Sequence, residues 1–176
     1  MRRDCHSDKI LTILLIITLA GCRTMDHSQD IAKDKAAIED VIRASIGWAA
    51  NKDKVLLYRS FADDEDLFYF SPRDDGTIHG RKAFEALTEG FFMKDDFKAV
   101  RYEIRDLHIN LSRSGDVAWY HARLDDYNEW KGQPANWEDV RWTGVLEKRG
   151  GQWVIVQMHF SGPTDRADAE EGRAEP

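Results

Sequence analysis

The chain has 176 residues, with 25 Lys and Arg against 32 Asp and Glu, for a net charge of −7. That length fits one ordinary domain with a sizeable core, and an acidic balance without any basic run argues against a nucleic-acid partner. Two cysteines, Cys5 and Cys22, are too few for a disulfide framework or a thiolate metal site.

The N-terminus carries Arg2, Arg3 and Lys9, then an apolar run from Ile10 to Ala20 broken by Thr12 and Thr18. A basic start, a short apolar core and small residues before a cut make a secretory signal peptide. The core falls short of the roughly 20 apolar residues that a spanning helix needs. Leu19-Ala20-Gly21-Cys22 resembles the bacterial lipobox. The resemblance implies removal of residues 1–21 and a lipid-modified Cys22 as the new N-terminus; an ordinary signal peptide with a chance cysteine is the alternative. Several acyl chains make such an anchor stable. Arg23 after the cysteine implies, for a two-membrane cell, the outer membrane and a periplasm-facing domain. With Cys5 removed and Cys22 acylated, no thiol is left for chemistry.

Residues 22–29 read as a polar tether, with Ser28 as the cap of a first helix. Ile31, Ile38, Val41, Ile42, Ser45 and Ala49 recur at helical spacing. Asp53 caps a second helix over Val55–Phe61. Asp66–Ser71 is an aromatic-rich strand and Ser71–Gly76 a turn. A third helix follows Gly80, with Phe84, Leu87 and Phe91 on one face. From Phe97 the pattern is four long antiparallel strands. Val100, Tyr102 and Ile104 alternate, then Leu107, Ile109 and Leu111 alternate in the opposite parity, which predicts a β-bulge near Arg105-Asp106. Val117–Asn128, Trp137–Lys148 and Gln152–Ser161 are the remaining strands, the last two joined at Arg149-Gly150-Gly151. The tail 164–176 is polar, lacks apolar periodicity and is predicted to be disordered. The fold class is α+β, with three N-terminal helices packed on one face of a curved, mostly antiparallel sheet.

Three stretches carry a family resemblance: Ser114-Gly-Asp-Val-Ala-Trp119 entering a strand; Arg141-x-Thr143 with Val145-Leu146-Glu-Lys and Gly151-x-Trp153; and the terminal Trp153-Val-Ile-Val-Gln-Met-His-Phe-Ser-Gly-Pro163. Phe68-Tyr-Phe-Ser-Pro72 and Gly80 before a helix also fit. Over residues 30–163 the chain resembles the SnoaL-like branch of the nuclear transport factor 2 (NTF2) superfamily, and it is similar to the association domain of calcium/calmodulin-dependent kinase II. The resemblance implies a cone with a pocket between the helices and the concave sheet. It does not imply one activity, because the superfamily hosts isomerases, cyclases, dehydratases, transport factors and assembly domains. Gln157 stands where many relatives have the first histidine of His-x-His, so acid–base chemistry at that position is lost.

Strict alternation puts Trp153, Ile155, Gln157, His159 and Ser161 on one face of the last strand, and Val154, Val156, Met158 and Phe160 on the other. The first set, which contains the polar groups, is predicted to line the pocket. Tyr58, Phe70, Tyr120, Arg141, Thr143, Gln157 and His159 are the predicted ligand-binding residues. Arg141 either receives a carboxylate or another oxyanion or pairs with an internal acid. His159 is either a general acid–base or a hydrogen-bonded core histidine. Trp48, Tyr58, Phe68, Phe70, Phe84 and Phe91 either shape an apolar pocket or fill the core. Asp63, Asp64 and Asp66 are either a solvated loop or the source of a base, and His79 is a candidate for the pocket rim. For Val117–Asn128 the inward face stays open. Neither a metal nor a cofactor is expected, since HExxH, calcium-loop and phosphate-loop motifs are missing.

These residues lead to a membrane-anchored domain that binds a small, partly apolar molecule, with any acidic group held near Arg141, Gln157 and His159. The alternatives are an isomerase, dehydratase or hydrolase using His159, and an assembly module. A wholly apolar strand face beside an amphipathic one also predicts a homodimer or higher homo-oligomer.

Overall fold

The computed structural model describes residues 8–71 and 76–162, with 8–27 as backbone alone. The predicted tail, the centre of the turn after Ser71, and Cys5 lie outside the described residues. The chain divides into two units, Met1–Ala36 and Ala37–Pro176. What is described of the first is helix, the opening part of α1 (Asp8–Gly47). The stretch 22–29, expected as a tether, lies within this helix. The helix runs through Ser28 instead of starting at it, over a stretch that holds no proline to break it. Among the described residues no helix is long and apolar enough to cross a membrane.

In the second unit α1 ends with Ile38 and Ile42 fully buried and Ser45 Oγ donating to the Ile42 carbonyl at 2.7 Å. A single 3-10 turn, Trp48–Ala50, follows. Helix α2 (Lys54–Arg59) is capped by Asp53, whose carboxylate accepts from Leu56 N at 3.0 Å, as its sequence predicts. Helix α3 (Gly80–Leu87) buries Phe84 and continues into one π turn, Thr88–Phe92. There Thr88 Oγ1 donates back to the Phe84 carbonyl at 2.9 Å.

Among the described residues seven strands make one sheet: β1 (Phe68–Phe70), β2 (Ile78–His79), β3 (Phe97–Leu111), β4 (Val117–Trp130), β5 (Gln133–Pro134), β6 (Trp137–Arg149) and β7 (Gln152–Ser161). Their order is β2-β1-β7-β6-β4-β3, with β5 on β4, and β1 runs parallel to β7 while the other pairs are antiparallel. The four long strands, the three helices and the antiparallel order agree with the sequence reading. Strands β2 and β5 have two residues each, too few to leave an alternating pattern.

Four register shifts curl the sheet. Strand β3 carries an extra residue between Ala99 and Arg101 and another between Arg105 and His108, the second where the parity switch predicts it, with Asp106 at φ 51°. Strand β6 carries one between Trp137 and Val140, with Asp139 at φ 51°. Strand β7 carries one at Val156, between Ile155 and Gln157. Asp tolerates the left-handed region better than most residues. At Asp139 the bulge is held by its own N–H donating to Asp125 at 2.7 Å and by Arg105 and Arg123 reaching its carboxylate at 3.2 Å. The backbone N–H of Asp139 and the Arg105 guanidinium hold the Asp125 carboxyl below the usual carboxylate range. The bulges decide which side chains face the helices, and so they decide the site.

Candidate functional site

A slip of one residue moves a strand's side chains to the other face of the sheet. On β7, Trp153 and Ile155 are buried on the helix side. The bulge at Val156 then turns Met158 and Phe160 inward and leaves Gln157 and His159 on the outer side. On β6, Val140, Trp142, Gly144 and Leu146 point inward, and the bulge at Asp139 brings Trp137 in with them. On β3 the extra residue at Val100 does the same for Phe97.

These re-aimed residues wall a cavity of about 710 Å³, within the range of roughly 300–1,000 Å³ common for small-molecule sites. It lies at the end of the sheet where β3 and β6 begin and β4 and β7 end. The helical wall is Ser45, Ile46, Trp48, Ala49, Leu57, Phe84 and Leu87, extended by Phe91 and Phe92 of the π turn. The sheet supplies Tyr69, Phe97, Asp126, Asn128, Trp130, Trp137, Met158 and Phe160. Phe91 stacks on Trp130 at 4.7 Å, and Trp48 meets Phe92 edge-on at 5.8 Å, so the aromatic wall is self-supporting.

Polar groups are few. The inward row of β4, Ala118, Tyr120, Ala122 and Leu124, continues as Asp126 and Asn128. Burial pushes the Asp126 carboxyl up, opposed in part by a hydrogen bond from the Asn128 side chain. Burial, helped by the Asp126 charge, also pushes the Tyr69 phenol up. Asn128 is 8% exposed, and its backbone N–H donates to Asn136 Oδ1 at 3.1 Å. Among the described residues its own Oδ1 has no hydrogen-bond partner. The described lining holds no Lys, Arg or His.

An acid whose folded pKa is raised loses stability as pH climbs from its unfolded value, about 4, through its folded one, because the folded state then has to carry a buried charge. Asp126→Asn is therefore expected to raise the midpoint of urea unfolding at pH 8. The gain should shrink as the pH is lowered towards 4.

The predicted ligand residues, Thr143 among them, lie outside the described lining of this cavity, those on β7 because of the bulge at Val156. Gln157 pairs across to Val145 and Phe68, and His159 to Thr143 and Phe70, all on the outer face. Phe70 is 45% exposed there, with its ring 5.7 Å from that of His159. Arg141 is exposed and donates to the Gly162 carbonyl at 2.7 Å. Tyr58 lies under the Arg81 guanidinium, 4.4 Å from ring centre to Cζ, outside the cavity lining. Tyr120 points inward but is sealed in the core over Gly144, its hydroxyl without a partner among the described residues. Of the aromatics weighed for a pocket, Trp48, Phe84 and Phe91 line the cavity, whereas Tyr58, Phe68 and Phe70 do not. Asp63 and Asp66 are exposed, and Asp64 pairs with Arg149, so that loop is solvated. His79 lies against Phe68 at 4.5 Å, away from the cavity. Among the described residues no cluster of His, Cys, Asp or Glu fits a metal ion.

The chain is similar in structure to an NTF2-like protein with a cystatin-like fold from Novosphingobium aromaticivorans, at 15% identity and a TM-score of 0.63, over 86% of this chain and 96% of that one. It is also similar to an NTF2-like protein of unknown function from Pseudomonas putida, at 22% identity and a TM-score of 0.58, over 77% and 89%. A third likeness is to a protein from Xanthomonas campestris named for the calcium/calmodulin-dependent protein kinase II association domain, at 20% identity and a TM-score of 0.58, over 73% and 86%. At these identities the likenesses carry the fold alone. A comparison with curated proteins gave no match. The SnoaL-like domain model matches residues 38–165, and with the curled sheet and helix-capped cavity in place, the chain belongs to the SnoaL-like domain family.

Proposed function

We propose that this chain is a membrane-anchored SnoaL-like domain whose cone cavity holds a small, predominantly apolar molecule. The observation that carries the reading is the cavity itself, large enough for a ligand and walled by aromatic and aliphatic side chains with a few convergent polar groups at its sheet wall. Attachment through Cys22 rests on Leu19-Ala20-Gly21-Cys22 behind a basic, then apolar, N-terminus. The outer face of the sheet supports a homo-oligomer: Trp119 and Phe70 are each nearly half exposed there, beside a His108–His121 stack at 4.8 Å.

Leu87 lines the cavity from α3 and is partly buried. Leu87→Trp projects a larger side chain into the open volume. In a fluorescence titration with a neutral apolar probe, the native chain is expected to bind and Leu87→Trp to bind about tenfold more weakly, a loss of about 1.4 kcal/mol. Equal binding by both would place the probe outside the cavity and overturn the reading.

A further inference from the structure

The cavity's polar groups choose among apolar ligands, and they choose one charge. Two acceptors in its sheet wall, the Asp126 carboxylate and Asn128 Oδ1, come from one row of β4, two residues apart and on the same face. Among the described residues Asn128 Oδ1 is buried without a donor, a state that folded proteins seldom leave unexplained. Among the described residues Asp126 has no ion pair, and the described lining offers no cation. A ligand carboxylate or phosphate would meet Asp126 with like charge in a poorly solvated wall. A ligand carbonyl would leave Asn128 Oδ1 unsatisfied. An ammonium group brings both the positive charge and several N–H donors. Aromatic faces, which Trp48, Phe91, Trp130 and Trp137 supply in number, also attract cations.

We propose, resting on the cavity reading above, that the ligand is an apolar or aromatic amine. Its protonated nitrogen donates to Asp126 and Asn128, and its apolar body lies among the aromatic side chains of the helical wall. The polar end of the ligand then sits against β4, not against Arg141 and His159 on the other face of the sheet.

The test is a calorimetric titration of the full chain with phenylbutylamine, phenylbutanol and phenylbutanoate, which share one apolar body. The amine is expected to bind tighter than the alcohol by about ten- to a hundredfold, as a charge-assisted hydrogen bond in place of a neutral one allows. The carboxylate should bind weakest. In Asp126→Asn the amine should fall to the affinity of the alcohol, while the alcohol itself is nearly unchanged. The rank order in the unsubstituted chain stands as evidence even if that variant folds poorly. Equal affinities, or the carboxylate binding tightest, would overturn the amine inference and leave the cavity reading intact. No binding by any of the three would remove the cavity reading, and this inference with it.

Discussion

Trp142→Ala is expected to lower the free energy of unfolding by about 3–5 kcal/mol, the usual cost of emptying a fully buried aromatic site. The indole is 0% exposed in the middle of β6. It lies edge-on to Tyr120 at 5.2 Å and stacks on Phe160 at 5.5 Å. Phe160 is a cavity wall, so the loss loosens the site as well as the core. A domain of this size has about 5–15 kcal/mol in total, so the variant should unfold at a clearly lower urea concentration. Trp142→Phe separates the causes. The indole N–H is buried without a partner among the described residues, so replacing it gives up volume but also removes an unsatisfied donor. It should cost much less than the Ala change. Equal losses in the two variants would contradict this picture of the core.

Gly144→Ala is expected to destabilise by about 1–3 kcal/mol or more, the usual range for overpacking a tight site. A Cβ on Gly144 would lie 2.5 Å from a Tyr120 ring carbon, 2.7 Å from its hydroxyl and 2.8 Å from the Gln157 backbone oxygen. Tyr120 lies directly across from Gly144 in the β4–β6 pairing and is 2% exposed, so its ring has nowhere to swing. The space over the glycine is occupied by that ring. Tyr120→Leu should therefore relieve part of the penalty, and a double-mutant cycle in urea should return a coupling of about 0.5–3 kcal/mol. Strict additivity would mean that the two residues do not share that space.

How much of this could be read from the chain depends on the bulges. The alternation of Val100, Tyr102 and Ile104 against Leu107, Ile109 and Leu111 locates the bulge near Asp106, because apolar residues on both sides expose the change of parity. At Val156 no such contrast exists. Trp153 to Val156 is apolar at every position, so the sequence is silent about which residue is extra, and a strict period of two carries Gln157 and His159 to the wrong face. The bulge at Asp139 is hidden differently, since Glu138 and Asp139 are both polar and neither parity stands out. Asp126 is missed in the sequence because the inward face of Val117–Asn128 stays open there. It extends the inward row Ala118, Tyr120, Ala122 and Leu124, where a carboxyl is out of place unless it serves something. The helices, the Asp53 cap and the long strands follow from local pattern, whereas the cavity's walls come from six separated segments that only the curled sheet brings together.

The central claim is that the face of the sheet carrying Met158, Phe160 and Asp126 holds a small molecule. The most direct measurement is native mass spectrometry of the full-length chain, purified gently from its own host and compared with a denatured sample. The expected result is a small-molecule mass that travels with the native protein, is lost on denaturation and is reduced in Leu87→Trp; the denatured spectrum also reads any acyl chains on Cys22. A native protein with no such mass, which also takes up no neutral apolar probe, would contradict the account.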